Sequence, residues 1–229
     1  MIIANGRAIL AALKNQTATI PIVFVFVLDP VADGFVSSLR RLGGNITGIT
    51  NFEFAIAGKW LELLNEIAPR RSKFTFLFNP ETAPHGHKLL KAVSSTVECV
   101  SAPVRKEIEI ERAFAVATPN DGMIVVPDLY TSGHSKLIVR LAAEHRVPAI
   151  YPLRFFVDQG GLLAYGVDTL DLFRRLATFV DQILNGQKTS DLPVQAPTKF
   201  ELVINLKTAK ALGLTAPPSL QATADDVLE

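Results

Sequence analysis

Five polar side chains follow two apolar segments in the middle of the chain. They are Asn79, Thr82, Asp128, Tyr130 and Thr131. The first two follow the segment 74–78, and the other three follow 123–126. If both segments are parallel strands, these side chains lie at one edge of a sheet, the edge at which open parallel sheets bind small molecules. We therefore expect at least one residue of each set to contact a small ligand.

The same residues also have purely structural explanations. Asn79 precedes Pro80, and an Asn-Pro pair is typical of a turn. Thr131 or Ser132 could serve only to cap the helix that follows. Both interpretations remain open from the sequence.

The elements that would position these side chains are predicted from apolar spacing. The run 123–126 ends at Pro127, which indicates a short buried strand. Apolar residues then recur at spacings of three and four over 135–145, which predicts an amphipathic helix before the next strand at 148–151. Such a unit makes its two strands parallel and places both loops at the same edge. Strand and helix alternate four times between Phe74 and Tyr151, which predicts a doubly wound α/β layer.

The N-terminal part offers a second group of candidates. A strand at 1–4 and a strand at 20–27 flank a predicted helix at 8–14. The turn and loop that follow the two strands contain the candidate ligand contacts Asn5, Gly6, Arg7 and Asp29. The alternatives are an ordinary Asn-Gly turn, a solvated arginine at a helix start and an aspartate that caps a helix. Further along, the apolar residues Phe35, Val36, Leu39 and Leu42 predict a short helix that Gly43-Gly44 ends.

The rhythm changes after Tyr151. We predict a short strand at 162–165, a long helix at 168–184, a polar connector at 187–197, a strand at 200–204, a helix at 206–212 and a surface tail from 215. Arg154, Phe155 and Tyr165 lie near the predicted crossovers between strands and could line a binding cleft. Tyr165 could instead be packed at a hinge.

Composition excludes several classes of function. The formal net charge of +1, with 20% charged residues, gives no indication of a nucleic-acid or acidic-membrane partner. Cys99 is the sole cysteine of the sequence, so neither an internal disulfide framework nor a cysteine-based metal cluster is expected. The longest apolar run, 20–28, is far shorter than the roughly 20 residues of a membrane helix. The sequence has no G-x-x-x-x-G-K-[ST] motif, which argues against a P-loop ATPase.

Two histidine patterns suggest chemistry that their context does not support. His85 and His87 flank a glycine, but no cysteine lies nearby and no third ligand follows at a recognised spacing, so a surface loop is favoured over a metal site. Ser132 and His134 lie two residues apart in a loop without a G-x-S-x-G motif, which is a weak basis for a hydrolase. We predict no metal, no cofactor and no catalytic residue.

Several stretches of the chain resemble successive blocks of one family, the ABC-transporter substrate-binding proteins similar to tryptophan/tyrosine-binding lipoproteins. The stretches are IPIVFVFVLDPVADGFVSSLRRLGGNITGIT, GKWLELLNEIAP, FLFNPETAP, VPAIYPLRFFVDQGGLLAYG and PTKFELVINLKTAKALGLTAPPSL. The resemblance covers almost the whole chain. It implies a type I periplasmic-binding-protein fold, in which two doubly wound lobes joined by crossovers close on a small ligand.

The resemblance also implies a domain organisation. Family members usually carry a signal or lipoprotein segment and a further strand-helix-strand-helix part before the first matching block. We therefore expect a partial N-terminal lobe at 1–34 and 161–194, a C-terminal lobe at 35–160 and 195–214, and a tail at 215–229. An incomplete lobe would expose sheet edge and apolar surface. A partner chain, a homodimer or strand exchange through that lobe, and a clipped gene model are the explanations left open.

The implied function is that of the solute-binding component of an importer, which works outside the cytoplasm with a membrane permease and has no enzymatic activity. Its ligand would be a small organic solute, such as an aromatic or other amino acid. Helix N-termini and hydroxyl groups would hold the carboxylate of such a zwitterion, and an acidic side chain its ammonium group. Arg7 departs from the small Gly-Ser/Thr-Pro loop of the family and could favour a more acidic solute. The alternative function is a ligand-sensing domain of a regulator or receptor with the same fold.

Overall fold

The computed structural model describes residues 1–40, 44–51, 55–71, 73–94 and 97–229. Within these residues the strands are β1 (Ile2–Asn5), β2 (Ile22–Val27), β3 (Ile46–Thr50), β4 (Lys73–Phe78), β5 (Glu98–Pro103), β6 (Asp121–Val125), β7 (Ala149–Tyr151), β8 (Leu163–Val167), β9 (Phe200–Asn205) and β10 (Asp226–Leu228). The α-helices are α1 (Arg7–Lys14), α2 (Ile56–Ile67), α3 (Gly86–Val93), α4 (Glu107–Ala115), α5 (Leu129–Gly133), α6 (Ser135–Glu144), α7 (Arg154–Asp158), α8 (Thr169–Leu184), α9 (Leu206–Ala211) and α10 (Pro218–Thr223). Among the helices of these ranges, none is both long enough and apolar enough to cross a membrane.

The chain divides into two compact units. The smaller unit comprises Met1–Glu53 and Val167–Phe200, and the larger unit comprises Phe54–Gly166 and Glu201–Glu229. Each unit contains a parallel β-sheet of its own.

The smaller unit is built on a three-stranded parallel sheet in the order β1-β2-β3. β2 reads IVFVFV, an apolar run without alternation, which is typical of a parallel strand covered on both faces. Phe24 of β2 packs in a core cluster with Leu10 of α1. The amphipathic helix α8 contacts β2 and β3 and buries Leu172, Leu176 and Phe179 along one stripe.

The larger unit contains a seven-stranded sheet in the order β10-β9-β8-β7-β6-β4-β5. β4 pairs in parallel with β5 on one side and with β6 on the other. The chain therefore runs from β4 to β5 and then crosses back over β4 to reach β6. In doubly wound sheets such a reversal of strand order leaves a crevice at the carboxyl ends of the two strands.

Packing against this sheet follows the predicted apolar stripes. Ile138 and Leu141 of α6 belong to a buried cluster with Met123 of β6 and Leu77 of β4. The predicted helix at 135–145 is thus confirmed as α6, within a residue at its C-terminal end. Burial of this stripe fixes the helix over the two strands whose loops carry the candidate residues.

The C-terminal residues are not a surface tail, so that expectation is wrong. Residues 215–229 form α10 and β10, and β10 pairs in parallel with β9. Leu220 of α10 is only 1% exposed. The segment is rich in proline, so its composition did not predict the short packed helix α10 or the short edge strand β10.

The predicted domain boundaries differ from the observed division in three places besides the tail. One is 195–200, which the sequence prediction places in the C-terminal lobe and which belongs to the smaller unit. The sequence prediction places 161–166 in the N-terminal lobe, but β8 pairs with β7 through Ile150 and Leu163 and so belongs to the sheet of the larger unit. It places 35–53 in the C-terminal lobe, but β3 pairs with β2 in the smaller unit. The pairing of strands decides the assignment of 161–166 and 35–53. Apolar patterns in the sequence do not encode this pairing.

The predicted short helix at 35–42 is not observed over its described part. Residues 35–40 form bends, and Phe35 and Val36 are buried in the core cluster of the smaller unit. Leu42 and Gly43, on which the rest of that prediction depends, lie outside the described residues.

Candidate functional site

Asp128 joins the loop that follows β6 to the loop that follows β4. Its Oδ2 accepts a hydrogen bond from the backbone N–H of Asn79 at 3.1 Å. Its Oδ1 accepts from the backbone N–H of Thr131 at 2.7 Å and from the hydroxyl of Thr82 at 3.2 Å. Four of the five residues predicted first from the sequence are therefore linked at the reversal of strand order, Asn79 and Thr131 through their backbone N–H groups.

Local sequence explains this arrangement. Asp128 is the N-cap of α5 and has an extended backbone. Its side chain accepts a hydrogen bond from the N–H three residues later in the chain, as capping aspartates do. Asn79 closes the neighbouring turn, since its Oδ1 accepts from the N–H of Glu81 at 2.8 Å. Both residues hold loops in place at this edge. Their contact with a ligand stays a prediction.

The Asp128 carboxyl lies in a buried position, with the residue only 9% exposed. Burial raises its pKa, because desolvation disfavours the charged form. The hydrogen bonds from Thr131, Asn79 and Thr82 act in the opposite direction by stabilising the carboxylate, but burial has the larger effect. A cation placed beside this carboxylate would be attracted more strongly than in water.

Tyr130 lies next to this network on α5 and is half-buried. Its ring lies 4.2 Å from that of His134, centroid to centroid. His134 Nδ1 is 2.8 Å from the carbonyl oxygen of Tyr130, and Nε2 is 3.3 Å from Glu107 Oε1. Both ring nitrogens of His134 are thus engaged away from Ser132, which removes the basis for the hydrolase interpretation.

The second candidate group lies at the carboxyl ends of the strands in the smaller unit. Asn5 ends β1 and is exposed. Gly6 has φ +90° and donates its N–H to the carbonyl of Val25 at 2.8 Å, a conformation that glycine adopts without strain. No side chain of the described residues caps α1, which starts at Arg7. Its first N–H groups have no partner within the helix and favour an anion.

Arg7 and Asp29 are both engaged by neighbouring groups in this unit. Arg7 Nε lies 3.0 Å from Asp33 Oδ1, with 41% of the Arg7 side chain exposed. Asp29 Oδ1 accepts from the N–H of Ala32 at 2.9 Å, and residues 31–34 form a turn, so Asp29 closes a turn and does not cap a helix. Arg7 therefore keeps an exposed face beside the start of α1, while Asp29 closes the turn after β2.

Arg154 and Phe155 lie in α7, the helix that follows β7. Arg154 Nη2 donates to Asp226 Oδ2 of β10 at 2.5 Å, and its Nε lies 3.5 Å from Asp158 Oδ1. The Phe155 ring stacks on Phe156 at 4.6 Å. These contacts tie α7 to the C-terminal strand and to the core.

Tyr165 lies in β8 and is half-buried. Its carbonyl accepts from the indole N–H of Trp60 at 2.7 Å, and Trp60 is a core residue with 1% exposure. A Cβ on the next residue, Gly166, would lie 1.7 Å from the carbonyl oxygen of Pro152, so only glycine fits there. Close strand packing thus fixes the backbone that carries Tyr165.

Sequence reasoning missed Asn51. It follows β3 directly, is 8% exposed, and its Oδ1 has no hydrogen-bond partner among the described residues. The signal was present, since Asn5 and Asn79 also stand at the ends of strands. An asparagine after a β-prone run is therefore the feature that would have found it.

The structure gives no support to a metal centre in the part of the chain that it describes. No group of three or more His, Cys, Asp or Glu side chains in these ranges could hold a metal ion. His87 instead packs edge-on against Phe78, with ring centroids 4.9 Å apart.

Comparison with known families and proteins gives consistent matches. Residues 1–228 match the family model described as ABC transporter substrate binding protein. A curated relative, a tyrosine-binding protein from Clostridioides difficile, is 27% identical over 210 residues, which are 89% of this chain and 60% of the relative. The chain thus spans about three fifths of that relative's length.

Solved structures match over nearly the whole chain. A conserved domain protein from Vibrio cholerae matches with a TM-score of 0.91 at 27% identity, over 99% of this chain and 78% of that one. A domain from Streptococcus pneumonia in complex with L-Trp matches with a TM-score of 0.90 at 21% identity, over 100% and 78%. The ligand-free, open structure of a substrate-binding protein with adhesive properties from Clostridium difficile gives 0.72 at 24% identity, over 100% and 78%. The predicted α/β fold with parallel sheets is confirmed.

Proposed function

Because the chain belongs to the family of ABC transporter substrate-binding proteins, we propose that it is the solute-binding component of an importer and that its solute is an amino acid. The curated relative is named for tyrosine, and one structural match holds L-Trp. An aromatic amino acid is therefore the first solute to test. Delivery to a membrane permease outside the cytoplasm, and closure of the protein on the solute, are part of the same proposal.

The observation that carries this proposal is the reversal of strand order between β4 and β6. At that edge the loops of the two strands are locked together by Asp128, and Thr82 and Tyr130 are half-buried beside it. Open α/β sheets bind ligands at such a reversal because the diverging loops leave a crevice. Within the larger unit, the candidate contacts with a solute are the Thr82 hydroxyl and the Tyr130 ring, and the Asp128 carboxylate is the candidate partner for an ammonium group.

Within the smaller unit, the start of α1 is the candidate contact for a carboxylate. Its N–H groups carry partial positive charge and have no side-chain cap among the described residues. Arg7 adds a half-exposed cation, although Asp33 already neutralises part of its charge. We expect the start of α1 to bind a carboxylate. The reason is that an anion accepts hydrogen bonds from the N–H groups that have no partner within the helix.

Isothermal titration calorimetry of the chain against the proteinogenic amino acids tests the proposal. We expect heat of binding for at least one amino acid without consumption of it. Thr82→Val should weaken binding by roughly tenfold, because the solute loses a hydroxyl contact. Thr178→Val is the matched control, since Thr178 is exposed on α8 and bonds only its own helix among the contacts described.

Two results would contradict the proposal. One is the absence of binding to every amino acid by a folded chain. The other is chemical conversion of the bound compound, which would indicate an enzyme.

A further inference from the structure

Phe26 has a backbone conformation that its position in the fold does not explain. It lies in β2 with φ +57°, in the left-handed region that a bulky side chain rarely adopts. The other described non-glycine residues with positive φ are Arg70 and Arg146. Arg146 directly follows the C-cap of α6, where a left-handed residue is common, and Arg70 lies two residues beyond the C-cap of α2. Phe26 lies within a strand, where regular pairing requires an extended backbone.

This conformation turns the Phe26 ring out of the core. The register between β2 and β3 shifts between Phe24 and Val27. Phe24 and Val27 both belong to the core cluster of the smaller unit although they are three residues apart, whereas alternate residues of a regular strand share a face. The irregularity thus removes Phe26 from the alternation. Its ring lies 6.1 Å from that of Phe173 in α8, at an interplanar angle of 58°.

Both rings remain accessible. Phe26 is the one residue of β2 that is not fully buried, and Phe173 is 42% exposed. Strained residues persist where the surrounding structure enforces them, and they concentrate at ligand contacts. The strained backbone of Phe26 therefore coincides with a ring that stays partly accessible.

Phe26 is adjacent in the chain to a residue that is hydrogen-bonded to the turn at the start of α1. Val25, the preceding residue, is the register partner of Asn5, and its carbonyl accepts the N–H of Gly6 at 2.8 Å. Asp29 closes the loop three residues later. The aromatic pair and the start of α1 therefore belong to one edge of the three-stranded sheet.

We propose that Phe26, supported by Phe173, contacts the side chain of the solute and selects an aromatic one. The proposal rests on the proposed function and deepens it, because it names the class of amino acid and a residue that determines specificity. An aromatic ring placed against the pair gains edge-to-face or offset-stacked contact that an aliphatic side chain cannot provide.

Calorimetry with L-tryptophan, L-tyrosine and L-leucine tests the proposal on the wild-type chain and three variants. Phe26→Leu keeps an apolar side chain but removes the ring, and it should weaken binding of the two aromatic amino acids by roughly tenfold while changing leucine by about twofold or less. Phe26→Tyr keeps the ring and should retain the preference. Leu184→Ala, at the far end of α8 with 72% of the residue exposed, is the control and should change nothing.

The outcomes separate this proposal from the function on which it rests. If the wild-type chain binds amino acids without preferring aromatic ones, or if Phe26→Leu binds tryptophan and tyrosine as the wild type does, the aromatic selection is wrong and the proposed function stands. If the folded wild type binds no amino acid, both are wrong. If circular dichroism shows that Phe26→Leu is not folded, Phe173→Leu on the unstrained helix α8 decides, with the same loss of preference expected.

Discussion

At the scale of single residues, the Asp128 carboxylate links two loops at one edge of the seven-stranded sheet. It accepts from two backbone N–H groups in different loops and from one hydroxyl. The two N–H groups are buried at the point where β4 and β6 end and would otherwise lack a partner there, whereas the hydroxyl is partly buried. A carboxylate is suited to this role because it offers acceptors only, on two oxygens that can each take more than one hydrogen bond.

The first prediction concerns the stability of this edge. Asp128→Ala removes the acceptor for the N–H groups of Asn79 and Thr131, so we expect a loss of about 2 kcal/mol in the free energy of unfolding. Urea denaturation followed by circular dichroism measures it. Asp181→Ala, an exposed aspartate on α8, should change stability by less than about 0.5 kcal/mol. Equal effects of the two substitutions would mean that Asp128 does not hold the loops.

At the scale of elements, α8 is fixed at its start by one residue with two partners. Asp168 caps the helix by accepting from the N–H of Asp171 at 3.0 Å. Its other oxygen lies 2.8 Å from Lys199 Nζ, in the segment that leads into β9. The hydrogen bond with Lys199, followed by that with Asp171, lowers the pKa of the Asp168 carboxyl.

The pH dependence of this cap gives a second prediction. A carboxyl whose pKa is lower in the folded than in the unfolded state adds stability above the unfolded pKa and loses it as pH falls through the folded pKa. Asp168→Asn should therefore destabilise the chain at pH 7, and the difference from wild type should shrink as pH falls below about 4. Urea denaturation of both proteins across this range measures it. A penalty that stays constant with pH would show that the charge of Asp168 contributes nothing.

The C-terminal elements give a third prediction. Leu220 of α10 is 1% exposed, so Leu220→Ala should cost about 3 kcal/mol by leaving a cavity in the larger unit. Leu184→Ala, with 72% of the residue exposed, makes the same chemical change on a surface and should cost less than about 0.5 kcal/mol. Chemical denaturation of the pair measures both. Similar values would mean that α10 is a surface tail after all.

At the scale of the whole molecule, the alternation of strands and helices could be predicted because each element carries its own local period. The helix at 135–145 and the strand at 74–78 are examples, since their apolar spacing is decided by nearby residues alone. The order of the strands could not be predicted in this way. The composition of β5, ECVSAP, has a charge and a proline that suit an edge strand, but it does not indicate that β6 pairs with the other side of β4.

Part of the candidate site could be predicted from the sequence, because that part depends on local patterns. The polar loops after β4 and β6 could be found from composition, and parallel pairing predicts that they share an edge. The bond between Asp128 and Asn79 depends on strands that meet across 49 positions of sequence, so only the structure reveals it. The bulge at Phe26 is invisible for a related reason, because β2 reads as an unbroken apolar strand.

The arrangement of the seven-stranded sheet has a consequence for biosynthesis. β8 is flanked by β7 and β9, and the chain passes through α8 and the rest of the smaller unit between β8 and β9. A ribosome therefore releases β4 to β8 well before the strands that complete their sheet. During that interval β8 is an unpaired edge strand. An unpaired edge can pair with another chain and cause aggregation unless a chaperone covers it. Slow translation across 168–199 would prolong this exposure.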